Sequence, residues 1–266
     1  MIVLGYITAI LIGVSLGLIG AGGSILTVPI LVYLMGISPV LATSYSLFIV
    51  GISALVGSYS YMKKKLLNFR MALIFGIPSV VGVLVSRKFI LPAIPKELFT
   101  IKSFVFTKDI GIMIFFAVLM IISAVKMIQK PKDAEEPITE LDNSRNLLIS
   151  FEGLLVGIIA GFVGAGGGFL IIPVLVVIAR QPMKNAIGTS LFIIAVNSLI
   201  GFTGDLYGHV EINWNFLALF SSFALAGIFV GSWLSKFISG TKLKPIFGWM
   251  VLLMGIYIIA EKSFNS

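Results

Sequence analysis

Apolar residues run along this chain in long blocks, interrupted by short clusters of glycine, proline or charge. Blocks near 2–19, 24–35, 40–61, 69–91, 109–128, 147–163, 168–179, 186–204, 213–235 and 243–260 predict ten helices. Most are long enough to cross a hydrocarbon core as a helix, which takes about 18 apolar residues or more at a rise of about 1.5 Å each. The blocks at 24–35 and 168–179 are too short for that. One stretch, 130–146, reads as a soluble charged linker, with Asp133, Glu135, Glu136, Glu140 and Asp142 among lysines and prolines. It separates a first transmembrane part, 1–129, from a second, 147–266.

The two parts are alike. Displacing the sequence by 144 residues lays Gly17–Gly57 over Gly161–Gly201 with 16 identities in 41 positions. After one inserted residue, Asn68-Phe69 falls on Asn213-Trp214 and Gly82 on Gly227. The expected fold is an all-α polytopic membrane protein of two homologous repeats, each a glycine-broken helical hairpin followed by about three transmembrane helices. Corresponding loops differ in charge: Lys63, Lys64, Lys65 and Arg70 in the first part answer Asp205, His209 and Glu211 in the second. The uncharged turn Gly36–Pro39 answers Arg180 and Lys184. The positive-inside rule then sets the two repeats in opposite orientations. The stretch from Arg87 to Lys108 disagrees, being basic where an outer loop is expected.

Composition narrows the function. The chain is 58% hydrophobic and 11% charged, with mean hydropathy +1.11, which leaves no room for a sizeable soluble domain. The net charge of +8 sits between spans, while the aromatics sit inside them, so the basic residues suit lipid headgroups and no nucleic-acid partner is expected. There is no cysteine, and His209 is the one histidine. No cluster of His, Asp and Glu lies at membrane depth, so neither an enzyme nor a metal or other cofactor is expected. Gly20-x-Gly22 and Gly164-x-Gly166 continue to Ile25 and Phe169 rather than a third small residue, and no Gly-Lys-Ser/Thr follows, which argues against dinucleotide and ATP loops. Met1–Leu18 has no basic leader and is expected to remain as the first span of a multi-pass plasma-membrane protein.

The glycine clusters are the candidate site. Gly20, Gly22 and Gly23 with Ser24, and Gly164, Gly166, Gly167 and Gly168, break the helical pattern at equivalent points, each followed by a proline, Pro29 or Pro173. Irregular backbone at membrane depth survives where protein or a watery cavity satisfies it, and paired breaks in inverted halves point to a transport site. Helix amides opening after each turn favour an anion. Ser46, Thr189, Ser190 and Asn197, with Thr43 and Ser44, are candidates for neutral hydrogen bonds to it. The competing role for each hydroxyl is close packing or a bond to its own helix.

These same residues resemble the TauE/SafE family of sulfite and organosulfonate exporter-like permeases. The likeness rests on Gly-Ala-Gly-Gly with a following proline at Gly20–Pro29 and Gly164–Pro173, on Gly188-Thr189-Ser190-Leu191, and on Asn213-Trp214. The resemblance implies a permease for a small sulfur-containing anion. Ser24 opposite Gly168, and Ser44-Tyr45-Ser46 opposite Gly188-Thr189-Ser190, leave the substrate open. The alternatives are a passive anion channel, a carrier of a small carboxylate, and a membrane assembly protein that transports nothing.

Overall fold

The computed structural model describes residues 2–19, 23–95, 97–101, 104–128, 143–164, 166–206, 212–234 and 240–264. Gly20, Gly22, His209 and most of the expected linker lie outside the described residues. All ten apolar blocks are helices: α1 Ile2–Ile19, α2 Ser24–Leu34, α3 Pro39–Lys63, α4 Phe69–Ala93, α5 Lys108–Ile128, α6 Asn143–Val163, α7 168–178, α8 Met183–Leu206, α9 Trp214–Leu234 and α10 Gly240–Phe264. Among the described residues, the one departure from a helical architecture is a short antiparallel pair between α4 and α5, β1 Glu97–Ile101 and β2 Phe104–Thr107. Within α3, α4, α6, α8 and α9 the apolar run is long enough to cross a membrane.

Local chemistry sets several boundaries. Asn68 opens α4 by accepting the Met71 N–H at 3.1 Å, and Asn213 opens α9 by accepting the Phe216 N–H at 3.0 Å. Each carboxamide thus satisfies an amide that the first helical turn leaves without a partner. Pro29 in α2 and Pro173 in α7 bring no N–H, and directly after each the helix widens into a π turn, Ile30–Leu34 and Val174–Ile178.

At the centre lie α3 and α8. Their apolar windows are 67% and 72% buried, against 39% for each of α4, α6 and α9. They run antiparallel, with Gly51 against Leu199, Gly57 against Leu191 and Gly201 against Leu47. Around them, α1 packs parallel to α9, Gly13 meeting Ala224 and Gly17 meeting Ile228 and Ser232. In the same manner α6 packs parallel to α4, with Gly153 at Phe75, Gly157 at Ser79 and Gly161 at Val83. A side chain on Gly157 would strike the Ser79 carbonyl, so the two backbones touch, as small residues four apart allow in membrane helices. Two more parallel pairs join the outer helices to the centre. Gly76 and Ser79 of α4 meet Ile193 and Asn197 of α8, and the hydroxyl of Tyr45 in α3 accepts the Asn213 N–H at the start of α9. The remaining pair is α5 with α10, Gly255 lying against Ala117 and Ile121.

Each part therefore packs its first helix on the other part: α1 on α9, and α6 on α4. Leu73, Ile77, Val81 and Leu84 form an exposed apolar stripe along α4, and Leu148, Phe151 and Leu155 do so along α6, surfaces suited to lipid. At one end of the centre, where Gly188 meets Tyr61 and the Leu66 carbonyl, Lys63, Lys64, Lys65, Arg70 and Lys184 are exposed together.

Candidate functional site

The turn between α6 and α7 is built from left-handed backbone. Gly164, Gly166 and Gly167 have φ of +75°, +64° and +71°, a region that costs an L-residue with a Cβ about 1–2 kcal/mol. Space is as restrictive as conformation. A Cβ on Gly164 would lie 2.5 Å from the Thr43 carbonyl oxygen and closer still to the Thr43 side chain. One on Gly166 would fall 2.5 Å from Ser198 Oγ, 2.9 Å from Ile194 and 3.3 Å from Val50. The turn is wedged between α3 and α8, the two most enclosed of the membrane-length helices. Gly23, the described glycine of the first cluster, is right-handed and pressed on Ile12 and Leu16 of α1, while Ser24 and Gly168 are buried at the first positions of α2 and α7.

The candidate hydroxyls divide into two groups. Thr189 accepts the Asn68 N–H at 3.0 Å, Ser190 donates to the Ile187 carbonyl at 2.9 Å, and Ser44 donates weakly to the Val40 carbonyl at 3.4 Å. These three make structural bonds. By contrast Ser46 is buried with its Oγ unpartnered, and Asn197 donates through Nδ2 to Ser79 at 2.6 Å while its Oδ1 has no partner. Two residues that the sequence reading passed over join them, Ser53 and Ser198, both buried and both unpartnered at Oγ. Ser46 and Ser53 lie four residues before and three after Val50, on the face of α3 that meets Gly166. That spacing from Ser46 was the available signal for Ser53, which also stands opposite Asn197 in the repeat.

Charge enters from two residues that the sequence reading had counted among the charges between helices. Arg87 lies within α4 and Asp205 within α8, and their side chains are 0% and 7% exposed. Arg87 Nη1 donates to Asp205 Oδ2 at 3.0 Å, to Oδ1 at 3.3 Å, and to Thr43 Oγ1 at 3.2 Å. Thr43 is the residue on which Gly164 rests, so the pair closes one side of the glycine turn. This corrects the charge count: Arg87 is neutralised inside the bundle and is not a loop charge. Lys108 likewise turns back, donating to the Leu91 carbonyl. Comparing the two repeats could not find the pair, because Ser232 and Tyr61 stand at the corresponding places.

At the Pro39 end of α3 a cleft of about 620 Å³ opens beside Tyr6, Met35, Leu41, Tyr45, Asn213 and Phe216. Among the described residues no group of three His, Cys, Asp or Glu is placed to hold a metal ion. The arrangement offers neutral hydrogen-bond groups, an arginine paired with an aspartate, and a left-handed glycine turn, all enclosed within the helical bundle.

Comparison with known proteins agrees with a transport role. The family described as sulfite exporter TauE/SafE matches residues 6–258. A "Probable membrane transporter protein" of Xylella fastidiosa is 29% identical over 94% of this chain and 91% of its own length. The "Probable membrane transporter protein YunE" of Bacillus subtilis is 27% identical over 93% of each chain. A relative in Methanocaldococcus jannaschii, also named a "Probable membrane transporter protein", is 28% identical over 77% of this chain and 72% of its own. No solved structure matches the chain.

Proposed function

Because the chain belongs to the sulfite exporter TauE/SafE family of multi-pass membrane transporters, we propose that it is a secondary carrier of a small oxyanion, sulfite or an organosulfonate. The anion occupies the space beside the Gly164–Gly167 turn, between two halves of opposite orientation that open in alternation. One observation carries this reading: the buried, unpartnered polar atoms of Ser46, Ser53, Asn197 and Ser198 around a turn whose glycines admit no side chain. An unsatisfied buried hydroxyl or amide costs about 1–3 kcal/mol, and four of them on the faces of α3 and α8 suit a polar guest. Acidic groups are scarce here, and Asp205 is already paired, so the site suits an anion better than a cation.

The opposed orientation draws support from the helix directions. Equivalent helices α3 and α8 run antiparallel, and α4 runs with α8 while α9 runs with α3. It follows that α4 opposes α9 and α1 opposes α6. The clustering of Lys63, Lys64, Lys65, Arg70 and Lys184 at one end agrees with a cytoplasmic face there.

The test is counterflow in proteoliposomes. Vesicles preloaded with sulfite are expected to take up labelled sulfite in a saturable manner, faster than empty ones. Ser46→Ala and Ser198→Ala are expected to raise KM several-fold while the protein still elutes as a single folded species. Flux that rises linearly with concentration and ignores preloading would replace the carrier with a channel, and no flux of any oxyanion would end the reading. Bulky replacements at Gly166 are a poor test, since the positive φ and the contact with Ser198 would disturb folding as well.

A further inference from the structure

We propose that Arg87 is the residue that grips the oxyanion, through the edge of its guanidinium that carries Nε and Nη2. The inference rests on the reading of this protein as an anion carrier, and it adds a charged residue that the glycine motif does not contain. A guanidinium holds five N–H donors in one plane, and the Nε–H and one Nη2–H lie side by side on a single edge. That edge matches two oxygens of a sulfonate, sulfite or carboxylate, and it is the geometry of the strongest arginine–oxyanion pairs. In this protein the edge is unused. Asp205 and Thr43 both take Nη1, while Nε and Nη2 are enclosed and have no partner. A purely structural ion pair gains most by engaging two nitrogens, so the observed geometry gives up bonds that Asp205 would otherwise supply.

The surroundings agree. The Ser86 Oγ next in sequence is also buried and unpartnered. Arg87 sits in a π turn, Ser86–Ile90, that interrupts α4, and such widened turns occur often at functional sites. Thr43 ties the arginine to the Gly164 turn through Nη1, and the free edge is enclosed within the bundle rather than set on a lipid-facing surface. Asp205 cancels the charge of the empty site, so the anion is held by directed bonds and by one cation already compensated, a balance compatible with release.

The experiment measures binding of methanesulfonate, sulfite and thiocyanate to the purified full chain by titration calorimetry. Arg87→Lys keeps a positive charge facing Asp205 but has no two-donor edge. It is expected to weaken methanesulfonate and sulfite about tenfold or more, equivalent to 1.4 kcal/mol per factor of ten, and to leave thiocyanate, which lacks paired oxygens, much less changed. The double variant Arg87→Gln with Asp205→Asn preserves a neutral hydrogen-bonded pair and is expected to fold and bind none of the oxyanions. If Arg87→Lys does not fold, the double variant decides. Unchanged oxyanion affinity in a folded variant overturns the role of Arg87 and leaves the carrier standing. Absence of oxyanion binding to the unaltered protein overturns the carrier reading itself, and this inference with it.

Discussion

Two glycines with the same backbone conformation have different consequences in this protein. Gly36 has φ +68° and nothing within 4 Å of where a Cβ would lie, whereas Gly164 has φ +75° and rests on Thr43. Gly36→Ala is expected to cost about 1–2 kcal/mol, the left-handed strain alone. Gly164→Ala adds a collision with backbone that cannot yield, and is expected to lower the melting temperature well beyond the Gly36 variant in the same detergent. Equal melting of the two would mean that the turn relaxes around a side chain. The same contrast shows why single residues were only partly legible. The glycine cluster stood out because its composition is unusual in a helix, but the roles of Thr189, Ser190 and Ser46 depend on which neighbouring helix each faces, and that is set by tertiary packing. Arg87 and Asp205 looked like loop charges because each lies near the end of an apolar block.

At the level of elements, the sequence was highly legible. Long apolar blocks, ended by glycine, proline or charge, mark membrane helices because a span must satisfy its own backbone. The shared Asn-aromatic dipeptide was visible as a repeat, and the structure gives it a cause: each asparagine caps one helix while its own N–H donates to a hydroxyl on the other part, Asn68 to Thr189 and Asn213 to Tyr45. Asn68→Ala and Asn213→Ala are each expected to lose about 1 kcal/mol, and Asn→Asp to keep most of the stability because a carboxylate still accepts the capping bond. Thermal unfolding of the four variants checks this, and alanine variants as stable as the parent would remove the cap from the account. The π turns after Pro29 and Pro173, and the strands β1 and β2, were not legible, since neither leaves a period in the apolar pattern.

For the whole molecule, duplication could be read from the sequence but the pairing of helices could not. Nothing in a single chain says that α1 seats on α9 and α6 on α4, because glycine surfaces four residues apart fit many partners. Burial of Arg87 against Asp205 takes one basic residue out of the charge count from Arg87 to Lys108 and leaves Lys88, Lys96, Lys102 and Lys108 against Glu97. The neutral pair of Arg87 and Asp205 has an electrical consequence. In the carrier mechanism proposed above, a site without net charge leaves the loaded protein with only the charge of its anion, so the membrane voltage acts on the loaded step and not on the return. With the interior negative, the outward passage of a monovalent anion gains about 2.3 kcal/mol per 100 mV. Imposing a potassium diffusion potential on sulfite-loaded proteoliposomes should therefore speed efflux when the lumen is negative and slow it when the lumen is positive. Efflux indifferent to voltage would mean that a compensating cation travels with the anion, and the protein would run on a chemical gradient rather than as a battery-driven exit.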